Sequence, residues 1–226
     1  MNKKILIVAA HPDDEVLGCF ATVSKLINQG NEAYTLILGE GKTSRDEKRV
    51  IEKRKNELKL LNKEIIEANN LIGIKKVYTE NFPDNRFDSV ALLDIVKAVT
   101  KVKEEIKPDI IFTHYENDLN IDHQITYKAV LTATRPMEKE SVKEIYSFEI
   151  LSSTEWSYPL SFYPDFFVDV ESSIELKIEA MKKYNSELRE YPHPRSIEGI
   201  RLNARYQGMR VGKKCVEAFK TVRVIK

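Results

Sequence analysis

The feature that most constrains this chain is a hydrophobic run that stops dead at a cluster of ionisable groups. Ile5-Leu6-Ile7-Val8 is short and rich in β-branched residues. It leads through Ala9-Ala10 into His11-Pro12-Asp13-Asp14-Glu15. Beyond these, Val16, Leu17, Phe20, Val23, Leu26 and Ile27 recur at three- and four-residue steps. The pattern predicts a buried strand, a tight turn and an amphipathic helix. In an open α/β sheet, ligands bind outside the carboxyl ends of the strands, and this turn sits at such an end. Capping a helix start accounts for one acid and for Pro12. It does not account for a His before the Pro, or for three acids together, which suit a metal or acid–base chemistry.

Further along, the same alternation repeats. Ala33–Leu38 reads as a buried strand, Arg45–Asn69 as a long charged helix, Lys76–Tyr78 as a short strand and Val90–Ile106 as a helix closed by Lys107-Pro108. Asp109–Thr113 is another buried strand and runs into His114-Tyr115-Glu116-Asn117-Asp118-Leu119-Asn120-Ile121-Asp122-His123, after which a helix continues to Thr134. The expected fold is α/β, a three-layer α/β/α Rossmann-like and mostly parallel sheet. After Arg135-Pro136 the pattern changes. Strands are expected at Lys143–Ile150 and Asp165–Val170, around an aromatic loop at Ser152–Pro164. Helices are expected at Ser172–Tyr184 and Ser196–Ala218. Residues 1–226 are read as one domain, with residues 137–226 adding the later strands, the loop and two helices.

Composition excludes several classes. The formal net charge of +1 offers no electrostatic reason to bind nucleic acid or an anionic membrane. The two cysteines, Cys19 and Cys215, show no CxxC spacing, which fits a reducing cytoplasm and argues against a cysteine-built zinc site. No segment is long enough to span a membrane, and the apolar run at the start is too short for a signal peptide. The exposed-looking aromatics of the Ser152–Pro164 loop point to a lid or a homo-oligomer interface.

Four histidines are present, His11, His114, His123 and His193. His11 and His123 stand at strand–helix junctions of the same inferred sheet. With Asp14 they would form a two-His, one-carboxylate set with a position open for water. Zn(II) suits such a set, and Fe(II) or another divalent metal uses the same ligand types. Asp122, adjacent to His123, is the expected orienter of its ring. Asp13 is the expected general base and then acid.

These motifs, His11-Pro12-Asp13-Asp14-Glu15-Val16-Leu17-Gly18 and the distant Asp118–His123 segment, resemble the PIG-L / LmbE-like N-deacetylases. The resemblance extends over essentially the whole chain. It implies a metal-dependent hydrolase that removes an acetyl group from an amino-sugar conjugate, such as one of N-acetylglucosamine. The sugar would be nucleotide- or lipid-linked. It implies His11, Asp14 and His123 as zinc ligands, Asp13 as base and acid, and a Rossmann-like sheet without a dinucleotide. The first turn indeed lacks GxGxxG. Phe82-Pro83-Asp84-Asn85, Ser153-Thr154-Glu155-Trp156 and Tyr191-Pro192-His193-Pro194-Arg195-Ser196 resemble a bacterial branch acting in polysaccharide or glycoconjugate synthesis.

One position departs from the family pattern. Asn120 stands where many members carry a histidine that helps hold the oxyanion. The donor is then Asn120 alone, or the charge comes from His193 or His114. Arg54 and Glu57 match the spacing of a family Arg-x-x-Glu helix but fit poorly in distance to Leu71-Ile72-Gly73. Asp84, Asn85, Arg86, Arg195, Glu155, Trp156 and His114 are the candidate substrate contacts. A metal-dependent phosphoesterase and a non-catalytic sugar-binding protein are the rival readings.

Overall fold

A computed structural model describes residues 2–45, 50–159 and 162–226. The elements in chain order are β1 Lys4–Ala9, α1 Asp14–Asn28, β2 Glu32–Gly39, α2 Ile51–Ile72, β3 Lys76–Phe82, α3 Leu92–Ile106 and β4 Ile110–His114. Then come α4 Ile121–Ala133, β5 Glu144–Phe148, β6 Phe166–Asp169, α5 Ile174–Met181, α6 Ile197–Met209 and β7 Val216–Val224. The strands form one seven-stranded sheet in the order β3-β2-β1-β4-β5-β7-β6. From β3 to β5 every pairing is parallel, and β7 runs antiparallel between β5 and β6.

The alternation along β1 builds the layers. Ile5, Ile7 and Ala9 face one core with Val16, Phe20 and Val23 of α1, while Leu6, Val8 and Ala10 face another with Ile95, Val99 and Val130 of α3 and α4. β1 is buried on both faces, as a central parallel strand must be. The α1, α2 and α5 helices pack together on the first face and α3 with α4 on the second, which gives the three-layer α/β/α fold.

The chain proceeds from β1 outward to β2 and β3, then returns to β4 on the other side of β1. Strand order therefore reverses between β1 and β4, and the crevice at their carboxyl ends is the expected ligand position. Gly39 ends β2 beside it. A Cβ there would sit 2.9 Å from the Ala10 carbonyl oxygen and 3.3 Å from the His11 ring, so the close approach requires glycine.

Two sequence expectations change. The helix expected over Ser196–Ala218 stops at Met209, and Val216–Val224 is a strand instead. Gly212 turns the chain at φ +69, after which β-branched and aromatic residues pair with β5 and β6. The long helix expected from Arg45 is observed over Ile51–Ile72, and residues 46–49 of that expectation lie outside the described residues. Residues 160–161 of the aromatic loop also lie outside them. Among the described residues no helix is long and apolar enough to cross a membrane.

Candidate active site

The β1–α1 turn is built to present two neighbouring carboxylates. Asp13 caps α1 in a left-handed conformation, φ 96 and ψ −26. That region costs a non-glycine residue roughly 1–2 kcal/mol, and aspartate is among the residues that tolerate it. The Asp13 carbonyl still accepts from the Val16 and Leu17 amides, so the helix starts normally. Asp13 and Asp14 consequently both line one cleft, together with His11 and His123. The cleft holds about 150 Å³.

His11 comes from the end of β1, Asp14 from the first turn of α1 and His123 from the first turn of α4. His11 Nδ1 lies 3.3 Å from Asp14 Oδ2, His123 Nε2 lies 3.3 Å from the same oxygen, and the two nitrogens are 3.3 Å apart. Three donor atoms at the corners of an equilateral triangle form a group that can hold a metal ion. The Asp14 carboxylate is also fixed by the His11 backbone N–H, which donates to Oδ2 at 2.8 Å.

Each imidazole is backed by a carboxylate, but not by the one expected. Sequence adjacency pairs Asp122 with His123. Instead Asp122 Oδ2 lies 2.9 Å from His11 Nε2, and its Oδ1 accepts the Phe87 N–H at 2.9 Å. Asp118 Oδ1 faces His123 Nδ1 at 3.1 Å. Successive residues on a helix point about 100° apart. The residue beside a ligand therefore turns away from it. Asp118 is further fastened by the Ser153 and Thr154 hydroxyls, which ties the loop after β5 to the cleft.

These carboxylates set the charge of the site. Burial pulls the His123 imidazole down, but Asp14 and Asp118 overcome this and push it up to about 9. Burial likewise opposes charge on His11, and Asp122 and Asp14 lift it well above its ordinary value. Asp118 is held at about 2: burial raises it, and His123 with the two hydroxyls more than reverses that. Asp13 is raised well above the usual carboxylate range by burial and by Asp14, against the opposing Arg195. Burial brings Glu15 up to about 7.

The remaining sequence candidates separate. Arg195 reaches the cleft and its Nη1 donates to Asp13 Oδ2 at 3.1 Å. Asn120 also lines the cleft. Its Oδ1 caps α4 by accepting the Asp122 N–H, and its Nδ2 donates to Asn85 Oδ1, each at 2.8 Å. Asp84 and Asn85 line the cleft too, and Asp84 Oδ1 stands 3.5 Å from His11 Nε2 while Oδ2 accepts the Ser44 N–H.

Others do not reach it. His114 is fully buried, its Nε2 accepts the Ala10 N–H at 2.8 Å, and its ring stacks on His123 with centroids 4.0 Å apart. Burial, then the neighbouring His123, holds it well below its ordinary value, and its Nε2 lies 3.5 Å from Asp14 Oδ2 although it does not line the cleft. His193 accepts the Arg195 N–H on Nδ1 and sets its ring against the edge of Trp156, outside the cleft lining. Its part is to shape the loop that carries Arg195. Glu155 accepts the Ser152 and Ser153 amides and closes a turn, and neither it, Trp156 nor Arg86 lines the cleft.

Sequence reasoning missed Glu187. It lines the cleft, buried, with Lys42 Nζ donating to Oε1 at 2.5 Å and Arg195 Nη1 3.7 Å from Oε2. No motif marks it, because it is brought in by the irregular segment after α5. Asp118 lay inside the motif and was passed over for its nearer neighbour.

Comparison with known proteins gives the family. Residues 6–134 match the family model PIG-L, described as GlcNAc-PI de-N-acetylase. The uncharacterized deacetylase YaiS of Escherichia coli is 29% identical over 194 residues, covering 82% of this chain and 92% of that protein. A probable N-acetyl-alpha-D-glucosaminyl L-malate deacetylase 2 of Bacillus cereus is 25% identical over 189 residues, covering 83% and 84%. Among solved structures, the N,N'-diacetylchitobiose deacetylase of Pyrococcus horikoshii superposes with a TM-score of 0.76 at 23% identity, covering 98% of this chain and 84% of that one. The match spans more than half of the chain and includes His11, Asp13, Asp14 and His123, and the chain therefore belongs to the PIG-L family.

Proposed function

We propose that the chain is a zinc-dependent N-deacetylase that hydrolyses the acetamide of an amino-sugar conjugate. The observation that carries this reading is the His11–Asp14–His123 triangle with Asp13 beside it in one cleft. Zinc binds N and O donors at about 2.0–2.1 Å, so tetrahedral corners lie about 3.3 Å apart. The three donor atoms lie at that spacing, and the two-imidazole, one-carboxylate donor set suits zinc. A zinc ion held there supplies a water of lowered pKa and polarises the amide carbonyl.

Asp13 takes the proton of the attacking water and returns it to the amide nitrogen as the C–N bond breaks, so that acetate and a free amine leave. The Arg195 guanidinium holds one oxygen of that carboxylate in place. Of the three oxyanion candidates, Asn120 alone lines the cleft, and its amide N–H is the donor assigned to the carbonyl oxygen. Asp84 and Asn85 contribute the polar wall that the sugar hydroxyls meet. Among the described residues one such metal-holding group is found, whereas phosphoester hydrolysis favours a two-metal clamp. The sugar-conjugate relatives support an N-acetylglucosamine-type substrate.

The test is metal content by elemental analysis, with acetate release from N-acetylated sugars with and without chelator. Asp13→Ala is expected to keep its zinc and lose about 10²–10⁴-fold in rate. His123→Ala is expected to lose both. An Asp13→Ala protein without metal refutes this division of roles.

A further inference from the structure

Glu15 is the acid of the first turn that the proposed reaction leaves unused. It is fully buried. Its Oε2 accepts the backbone N–H of Asp13 at 3.0 Å. Its Oε1 accepts from Tyr184 Oη at 2.5 Å and from Asn69 Nδ2 at 3.1 Å. Asn69 belongs to α2, and its Oδ1 accepts from Thr35 Oγ1 of β2 at 2.7 Å. Tyr184 follows α5. Tyr184, Asn69 and Thr35 are as buried as Glu15 itself.

Helix capping explains a carboxylate that reaches back to the N-cap N–H. It does not explain why that carboxylate is sunk in the core and gripped by two other elements. What lies at the far end of the grip is Asp13, the one non-glycine residue of the turn at positive φ. A helical residue 13 would swing its side chain away from that of residue 14. The left-handed conformation is what lets consecutive aspartates share the cleft.

We propose that Glu15, fastened by Tyr184 and Asn69, is a positioning residue that locks Asp13 in its left-handed conformation and so aims the general base. The role of Asp13 as base rests on the deacetylase reading above. The lock itself is a statement about backbone geometry.

Three variants of the zinc-loaded protein test it, with crystal structures, zinc stoichiometry and steady-state kinetics for each. Glu15→Ala removes the acceptor and is expected to release Asp13 from φ near +96. Tyr184→Phe removes one fastening while leaving every proposed metal ligand in place, and remains usable where Glu15→Ala fails to fold. Its kcat is expected to fall about tenfold or more, in keeping with the cost of a slightly misplaced group, with KM and zinc content unchanged. Glu15→Gln keeps an oxygen for the Asp13 N–H but turns its amide NH2 toward the donors Tyr184 Oη and Asn69 Nδ2, and is expected to give a kcat between those of Glu15→Ala and the wild type. In an Asp13→Ala background, Tyr184→Phe should cost nothing more. Unchanged Asp13 geometry and kcat in Tyr184→Phe, with only a lower melting temperature, overturns the lock. So does an equal loss in the Asp13→Ala background. Absence of acetate release by the wild-type protein would sink the deacetylase reading instead, and the Asp13 φ in the variants would still decide the lock.

Discussion

Replacing Asp122 by alanine should weaken zinc binding through His11, not through its sequence neighbour His123. Asp122 is fully buried and takes two donors, His11 Nε2 at 2.9 Å and the Phe87 N–H at 2.9 Å. Loss of a carboxylate behind a metal-bound imidazole costs about 10–100-fold in affinity, or about 1.4–2.7 kcal/mol. Asp84 Oδ1 already stands 3.5 Å from the same nitrogen and can take part of the load. The expected loss for Asp122→Ala is therefore near the lower end, about tenfold. Asp118→Ala should approach 100-fold. Among the described residues no other carboxylate faces His123 Nδ1, and the change also frees the Ser153 and Thr154 hydroxyls. Competition against a chromophoric zinc chelator at fixed pH measures both affinities, and ¹⁵N spectra of the histidine rings show which imidazole moves. Wild-type affinity in Asp122→Ala would refute the argument. So would a shift of the His123 ring without one of His11.

Two further outcomes follow from the buried charges. The metal-free His123 imidazole sits at about 9, so it carries a proton at pH 7. Zinc uptake at pH 7 should release at least one proton per ion, and affinity should climb as pH rises toward 9; calorimetry in buffers of different ionisation enthalpy reads the proton count, and zero would contradict the charge assignment. At the opposite end of the fold, Lys103 of α3 donates to Glu140 at 2.6 Å. Burial raises the Glu140 carboxyl, Lys103 and the Val142 N–H more than reverse this, and it ends below its ordinary value. Its contribution to stability is present above pH 4.5 and is lost as pH falls through the lower folded value. Glu140→Gln should cost about 2 kcal/mol near pH 7 and flatten that part of the stability profile in denaturant titrations.

How much of this could be read in the sequence depends on how local each signal is. The β1–α1 unit was legible because period, turn and motif fall within 25 consecutive residues and agree with one another. His11, Asp14 and His123 were legible as a set because a parallel sheet brings strand ends to one side whatever the loop details. Strand β7 was missed because Val216-Glu217-Ala218-Phe219 follows a helix closely and suits either state. Its place between β5 and β6 is decided by partners far away in sequence. The pairing of carboxylates with histidines was misread for a geometric reason. Adjacency along a helix separates side chains, and the true partners, Asp122 for His11 and Asp118 for His123, come from different turns. Glu187 left no trace in any local pattern.

The charge around the triangle explains why these misassigned residues matter to the chemistry. Asp14, Asp84, Asp118 and Asp122 crowd two imidazoles in a largely buried space. Such a surplus of negative charge is costly unless it is balanced locally. In the metal-free protein, protons on His11 and His123 offset part of it, and the carboxylates lift both imidazoles against the effect of burial. A divalent ion that displaces those two protons leaves the sum unchanged, so the surrounding hydrogen bonds need not rearrange as it binds. Asp13 has a cationic partner of its own. Its carboxylate is matched by Arg195, which Glu187 and Lys42 hold in turn. The base thus has a counter-charge of its own in Arg195, while the adjacent Asp14 charge raises the Asp13 carboxyl and couples its proton to the metal ligands.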